Sequence, residues 1–225
     1  MKHIQKGPEP PELADFKQEW AAEGRTPKWK DLTGPCAEAI RGALFAEQGH
    51  ICCYCGRRLV PNDNHIEHLV PRDGKSGDPS LTFVWPNLLA SCQANLLKGD
   101  PKHCGSKKEN WYDRTLMVSP LDPSCEERFH FELDGRIRAA QPSDLGAEET
   151  IRRLDLDGAR LRGLRKKAIE GLFVDLDEDL RPEEYDALAK AFRERDSQGR
   201  YEAFCFVLLA ALGARHVGLT GAGRP

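Results

Sequence analysis

Residues 50–71, HICCYCGRRLVPNDNHIEHLVP, and residues 85–108, WPNLLASCQANLLKGDPKHCGSKK, carry five of the eight cysteines of the chain. Neither stretch keeps the three-to-four-residue apolar spacing of a helix, and Cys, His, Asn, Gly and Pro concentrate there instead. Cys52 and Cys55 form a C-x2-C knuckle, a spacing that lets one tight turn place two thiolates about 2.3 Å from a single zinc ion. Cys92 and Cys104 supply a second pair from a second loop, so the expectation is a structural four-cysteine Zn2+ site. The bland alternative, free thiols, must account for five cysteines crowded into one segment. Cys53 competes within the knuckle, although the i, i+3 pair has the usual geometry. Cys36, Cys125 and Cys205 lie outside and read as core or surface thiols.

The chain has 225 residues, with 33 Lys and Arg against 36 Asp and Glu, a net charge of −3. That balance provides no global field toward nucleic acid, so any such binding rests on local patches. The longest apolar run, AFCFVLLAAL at 203–212, falls far short of the roughly 20 residues that cross a bilayer. The opening MKHIQKGPEPPE lacks the apolar stretch of a secretory signal. The expectation is a cytoplasmic protein without a membrane partner, in a compartment where thiols stay reduced and metal ligation is the leading role for clustered cysteines.

Four sections follow from the pattern: an N-terminal extension and helix (1–49), a Cys/His-rich core (50–120), a β-hairpin (121–145) and a helical C-terminal lobe (146–225). The Pro/Glu-rich start reads as an extended lead-in, and a helix with start and stop signals runs between Thr33 and Gly49. Residues 129–140, FHFELDGRIRAA, alternate on both sides of an Asp-Gly pair, a strong hairpin signal. Leu161, Leu164, Ala168 and Leu172 step at helical spacing after a cap at Asp157. Pro182 opens a further helix, and Tyr201, Phe204, Cys205, Leu208 and Leu212 line a last one whose tail, 219–225, should fray. Residues 151–167 hold Arg152, Arg153, Arg160, Arg162, Arg165, Lys166 and Lys167 against Asp155 and Asp157. Residues 171–187 reverse the sign with Asp175, Asp177, Glu178, Asp179, Glu183, Glu184 and Asp186. The first run suits phosphate backbone and the second a basic partner, with ordinary solvated helix faces as the equal alternative.

Between the two cysteine pairs, HIEHLVP (65–71) is followed by Trp85-Pro-Asn87-Leu-Leu, Cys92 and Asn95-x-x-Lys98-Gly99. This order resembles the HNH endonuclease, or ββα-metal, motif. The resemblance implies two short strands and a helix that hold one catalytic divalent cation, Mg2+ or Mn2+, buttressed by the four-cysteine zinc. It puts His68 at the general-base position, Glu67 at the first metal-ligand position and Asn87 where a side chain restrains the loop that orients the base. Phosphodiester hydrolysis calls for a base of near-neutral pKa and a hard cation, and His68 beside Glu67 offers both kinds of group. As strand neighbours the two diverge unless the strand ends or bends there.

The helix start departs from the family's Cys-x-x-Cys-Asn/His, which leaves Asn95 or His103 as the third ligand of the catalytic cation. His65 shares a strand face with Glu67 and is equally well read as a packing residue. Lys98, Lys102, Lys107, Lys108 and Arg114 stand nearest to a scissile strand and are the candidate nucleic-acid contacts.

Roughly residues 38–170 further resemble the HNH subunit of Septu-type and retron-associated anti-phage systems, on IEHLVP, WPNLLASC, the Pro-led hairpin and the TIRRLDL helix start. That resemblance implies an effector nuclease, with DNA as the expected target, that works with a separate SMC- or ABC-like ATPase. The rivals are a zinc-binding module that recruits nucleic acid or a partner without cutting, and a stand-alone restriction-type HNH nuclease. The fold class expected is α+β: a small ββα-metal core, a hairpin and flanking helices.

Overall fold

The computed structural model describes residues 1–174, 176 and 180–221, with side chains of the last helix described through residue 215. Its order is α1 (Pro11–Ala22), α2 (Gly34–Glu47), β1 (Asn64–His68), β2 (Leu88–Cys92), α3 (Gly105–Lys108), β3 (Phe129–Phe131), β4 (Ile137–Ala139), α4 (Leu145–Arg153), α5 (Ala159–Val174), α6 (Pro182–Arg193) and α7 (Cys205–Gly221). The fold is mixed, with two separate two-stranded sheets among helices.

The N-terminal stretch departs from expectation. Pro11 occupies the first helical position behind an extended Pro10, where the missing N–H costs nothing, and α1 follows. Leu13 is fully buried in it, so packing secures a helix that its own apolar pattern marks weakly. The second helix matches its signals: Thr33 precedes it, Pro35 lies in its first turn, and Gly49 takes a φ of 59° just past its end.

Strands β1 and β2 pair antiparallel with Asn64 opposite Cys92 and His68 opposite Leu88. Their connection, 69–87, includes 3-10 turns at Pro79–Leu81 and Trp85–Asn87. All five β2 residues are buried, as suits a strand packed on both faces. The N-terminal strap locks onto the end of this hairpin. Lys6 Nζ pairs with Glu47 at 2.5 Å, donates to the Leu88 carbonyl at 3.0 Å and stands 3.8 Å from the Trp85 ring centroid, while Trp85 Nε1 donates to the Gly7 carbonyl.

The β3–β4 hairpin turns at Asp134-Gly135 as the sequence indicates. Gly135 has a φ of 86°, and a Cβ there would lie 2.3 Å from the Arg162 carbonyl, so any side chain would collide with α5. Arg165, counted among the surface basics of 151–167, is instead buried. Its guanidinium donates to the carbonyls of Gly135 (2.7 Å) and Leu156 (2.8 Å) and so ties hairpin to helix. Asp144 caps α4 by accepting from the Ala147 amide at 2.9 Å.

Two apolar cores result. One gathers α1, α2, the knuckle, β1, β2 and the second hairpin; the other gathers Ile169, Phe192, residues 204–208, Ala211 and Leu212. The last helix starts at Cys205, later than its apolar spacing suggests, because Phe204 adopts a φ of 58° and donates its amide to the Gly56 carbonyl of the knuckle. Of the acidic run, Asp175, Asp177, Glu178 and Asp179 lie outside the described residues, as do residues 222–225 of the tail. No helix among the described residues is long and apolar enough to cross a membrane.

Candidate metal centre and active site

Four sulfurs converge. The Sγ atoms of Cys52, Cys55, Cys92 and Cys104 all lie within 4.8 Å of one another, and all four residues are buried. Cys52 and Cys55 face each other across the knuckle turn, which closes with the Gly56 amide on the Cys52 carbonyl at 3.1 Å. Cys92 ends β2 and Cys104 immediately precedes α3. A tetrahedron with arms of about 2.3 Å has edges of about 3.8 Å, and Cys55 Sγ to Cys92 Sγ measures 3.8 Å.

The electrostatics point the same way. Burial opposes ionisation of Cys52, yet hydrogen bonds from the surrounding thiols take it well below the usual range. Burial and that neighbouring sulfur push Cys104 well above it. The cluster thus favours one negative charge and resists a second, a conflict that a divalent cation among the sulfurs removes. The site fits zinc. Cys53 is buried but is not one of the converging four, Cys36 donates to the Glu12 carbonyl, and Cys125 and Cys205 are core residues.

The two carboxylate and imidazole candidates on β1 face opposite ways, as strand alternation dictates. Glu67 shares a face with His65. Its Oε1 accepts from Tyr54 Oη at 3.2 Å and pairs with Lys108 Nζ at 2.8 Å, and its Oε2 lies 3.2 Å from His65 Nε2. Burial works against its ionisation, but the His65 hydrogen bond and the Lys108 ammonium hold the carboxyl below the ordinary range. His68 turns to the other face, where its Nε2 lies 3.0 Å from the Thr82 carbonyl and Trp29 meets its ring edge-on at 4.5 Å. A carbonyl only accepts, so Nε2 carries the proton and Nδ1 keeps the lone pair. Burial pushes this imidazole down to about 4, below the near-neutral value expected of the general base, so it is neutral at pH 7 and a weak base while it stays buried.

Asn87 holds the loop that delivers Thr82. Its Oδ1 accepts from the Val70 amide at 2.8 Å, and its Nδ2 donates to the carbonyls of Val70 (3.0 Å) and Leu81 (3.1 Å). Both ends of the 70–82 segment therefore converge on one buried amide.

Neither residue expected as the third ligand reaches Glu67. Asn95 is exposed, with its side chain on the Asn62 carbonyl and its amide on Asp63. His103 is buried beside the sulfurs, its Nδ1 3.2 Å from Cys104 Sγ and 3.8 Å from Cys92 Sγ. The group that does approach Oε2 is His65, 29% exposed at its side chain. Gly105 leaves the room: a Cβ there would lie 2.4 Å from Glu67 Oε2 and 2.5 Å from His65 Nε2. Lys108, expected on the surface, is buried because its ammonium serves Glu67 and the His68 carbonyl (2.9 Å). Lys98, Lys102, Lys107 and Arg114 are exposed, and Lys102 pairs with Glu109 at 2.9 Å. Sequence reasoning missed Tyr54, Gly105 and Trp29. Only Gly105, directly after a ligand-type cysteine, carried a local signal.

No family model matches the chain. Over 141 residues it is 31% identical to a protein of Vibrio cholerae serotype O1 biovar El Tor named "Retron Vc95 putative HNH endonuclease". The aligned part covers 61% of this chain and 66% of that protein, just under two thirds of its length.

Proposed function

We propose that the chain is a metal-dependent HNH endonuclease that hydrolyses phosphodiester bonds of nucleic acid, with DNA as its target. In this reading β1, β2 and α3 are the two strands and the helix of the ββα-metal core. The observation that carries it is the chain of contacts from Asn87 through the 70–82 loop to the Thr82 carbonyl, which fixes His68 with Nδ1 as its basic nitrogen. That nitrogen takes the proton from the attacking water. The same water has to reach an imidazole now covered by Trp29, so nucleic acid enters with that ring displaced.

Glu67 Oε2 and His65 Nε2, packed against Gly105 on the face of β1 opposite His68, are the residues that would hold the divalent cation, Mg2+ or Mn2+, so this reading requires the end of β1 to turn before base and cation meet on one phosphate. When bound, that cation supplies charge neutralisation at the phosphate and the leaving oxygen. Cys52, Cys55, Cys92 and Cys104 hold structural zinc and thereby fix the start of α3 against β2. Lys98, Lys102, Lys107 and Arg114 remain the exposed cations for the substrate. We also infer, from the sequence resemblance and the retron named for the similar protein, a defence role with a separate SMC- or ABC-like ATPase.

A second reading has its own support: Lys108 already neutralises Glu67, and Glu67 and His68 diverge, as befits a zinc-bound recruitment module without catalysis. Nicking of supercoiled plasmid with Mg2+, with Mn2+ and with excess EDTA separates the two. Nicking that appears only with added Mg2+ or Mn2+, with zinc content unchanged, supports the nuclease. If the full chain, assayed alone and with a candidate SMC- or ABC-like ATPase, binds DNA and leaves it intact in every metal, the recruitment reading stands.

A further inference from the structure

The short helix α3 with the turn after it and the C-terminal end of α4 face each other across a cleft of about 650 Å³. Lys107 and Trp111 line one side, and Arg152 and Arg153 the other. These cations come from two regions read separately in the sequence, and the fold brings them to one opening. Lys107 is exposed, and the side chains of Arg152 and Arg153 are 63% and 43% exposed. Of the two acids along the cleft, Glu109 is engaged by Lys102, which leaves a cationic lining with Asp155 at its edge. The Arg153 guanidinium stands 5.4 Å from the Trp111 ring centroid, so an aromatic surface lies among the cations. Lys108 lines the same cleft and reaches through to Glu67 and the His68 carbonyl, which puts the opening one lysine side chain away from the candidate catalytic strand.

We propose that this cleft carries the sugar-phosphate backbone of the strand to be cut, with Lys107, Arg152 and Arg153 on phosphates and Trp111 against a sugar or base. The proposal rests on the nuclease reading and adds to it the path of the substrate. Guanidinium forks match phosphate oxygens in pairs, which suits Arg152 and Arg153 on adjacent turns of a strand. Their present partner is Glu149, which accepts from Arg152 at 2.5 and 2.8 Å and from Arg153 at 2.7 Å. A phosphate entering the cleft competes with that carboxylate for the same donors.

The test is fluorescence anisotropy of a fluorescein-labelled single-stranded oligodeoxynucleotide, and of its duplex, with the zinc-loaded full chain and no added Mg2+ or Mn2+ across a salt series. Arg152→Gln/Arg153→Gln weakens binding about tenfold at low salt and flattens the slope of log Kd against log salt by about 1.4 for the single strand. Trp111→Ala weakens it at least about fivefold. Glu149→Gln, by freeing both arginines, tightens it. An unchanged Kd and slope in the double variant, with zinc content and circular dichroism as in the parent, overturns the proposal. So does a double variant that binds DNA normally but no longer retains polyglutamate, which makes the cleft a protein-docking surface. His68→Ala separates the two levels: it abolishes cleavage and leaves affinity unaltered if the nuclease reading holds, whatever the cleft variants do.

Discussion

Lys108 Nζ lies 2.8 Å from Glu67 Oε1 and 2.9 Å from the carbonyl oxygen of His68, so one buried ammonium grips two successive residues whose side chains go opposite ways. The contact fixes α3 to β1 at the point on which the proposed chemistry depends.

Removing only the cation strands a buried charge. Lys108→Met is expected to cost about 3–5 kcal/mol, because Glu67 then keeps only Tyr54 and His65. The double variant Lys108→Met/Glu67→Gln recovers much of that loss. Urea unfolding of the four proteins measures the coupling, and additive losses would show that the pair does not interact as described. In the single Lys108→Met variant, Mn2+ raises stability by binding the freed carboxylate, and in the double variant it does not.

Gly105 is the tightest steric point of the site. Gly105→Ala places a methyl 2.4 Å from Glu67 Oε2 and 2.5 Å from His65 Nε2. Neither is the loose end of a free chain, since Glu67 is held by Tyr54 and Lys108. The expected outcome is weaker Mn2+ binding in calorimetry with zinc still stoichiometric. Equal Mn2+ affinity would remove Glu67 and His65 as the ligand pair.

Zinc loss acts on folding. Cys52→Ser and Cys104→Ser are each expected to lower zinc content by mass spectrometry and to lower the melting temperature, since a structural metal contributes directly to folding. The Cys104 change also loosens α3, because that helix begins at the next residue and loses the sulfur that ties its start to the other three cysteines. Stoichiometric zinc after both substitutions contradicts the four-sulfur assignment.

Asn87 carries three hydrogen bonds to the 70–82 loop. Asn87→Ala is expected to cost about 2–4 kcal/mol. Asn87→Asp does worse, because a carboxylate would face the carbonyls of Val70 and Leu81. Hydrogen exchange at the Val70 amide reports the effect directly: it speeds up in both variants, and protection as in the parent would deny Asn87 its anchoring role.

The legible part of this molecule is local. The C-x2-C knuckle, the Asp134-Gly135 turn and the helix that starts after Thr33 all rest on residues a few positions apart, and the structure has each of them. The convergence of Cys92 and Cys104 on the knuckle was legible because cysteine has few reasons to cluster. What stayed hidden was decided across the fold. Lys108 reads as a surface cation until a strand forty residues earlier supplies its carboxylate. Arg165 reads as part of a basic helix face until the hairpin turn arrives under it. Trp29 shows nothing in sequence of its place against His68. The α1 helix was masked because Pro10 and Pro11 look like extended chain, although proline at a first helical position is well tolerated.

The central claim is that His68 activates water. Its most direct measurement compares DNA cleavage by the parent and by His68→Ala, at equal zinc content and melting temperature, in Mg2+ or Mn2+, alone and with the proposed ATPase partner. A loss of about 10²-fold or more is expected, with DNA affinity unchanged. Cleavage at the parental rate by His68→Ala would contradict it.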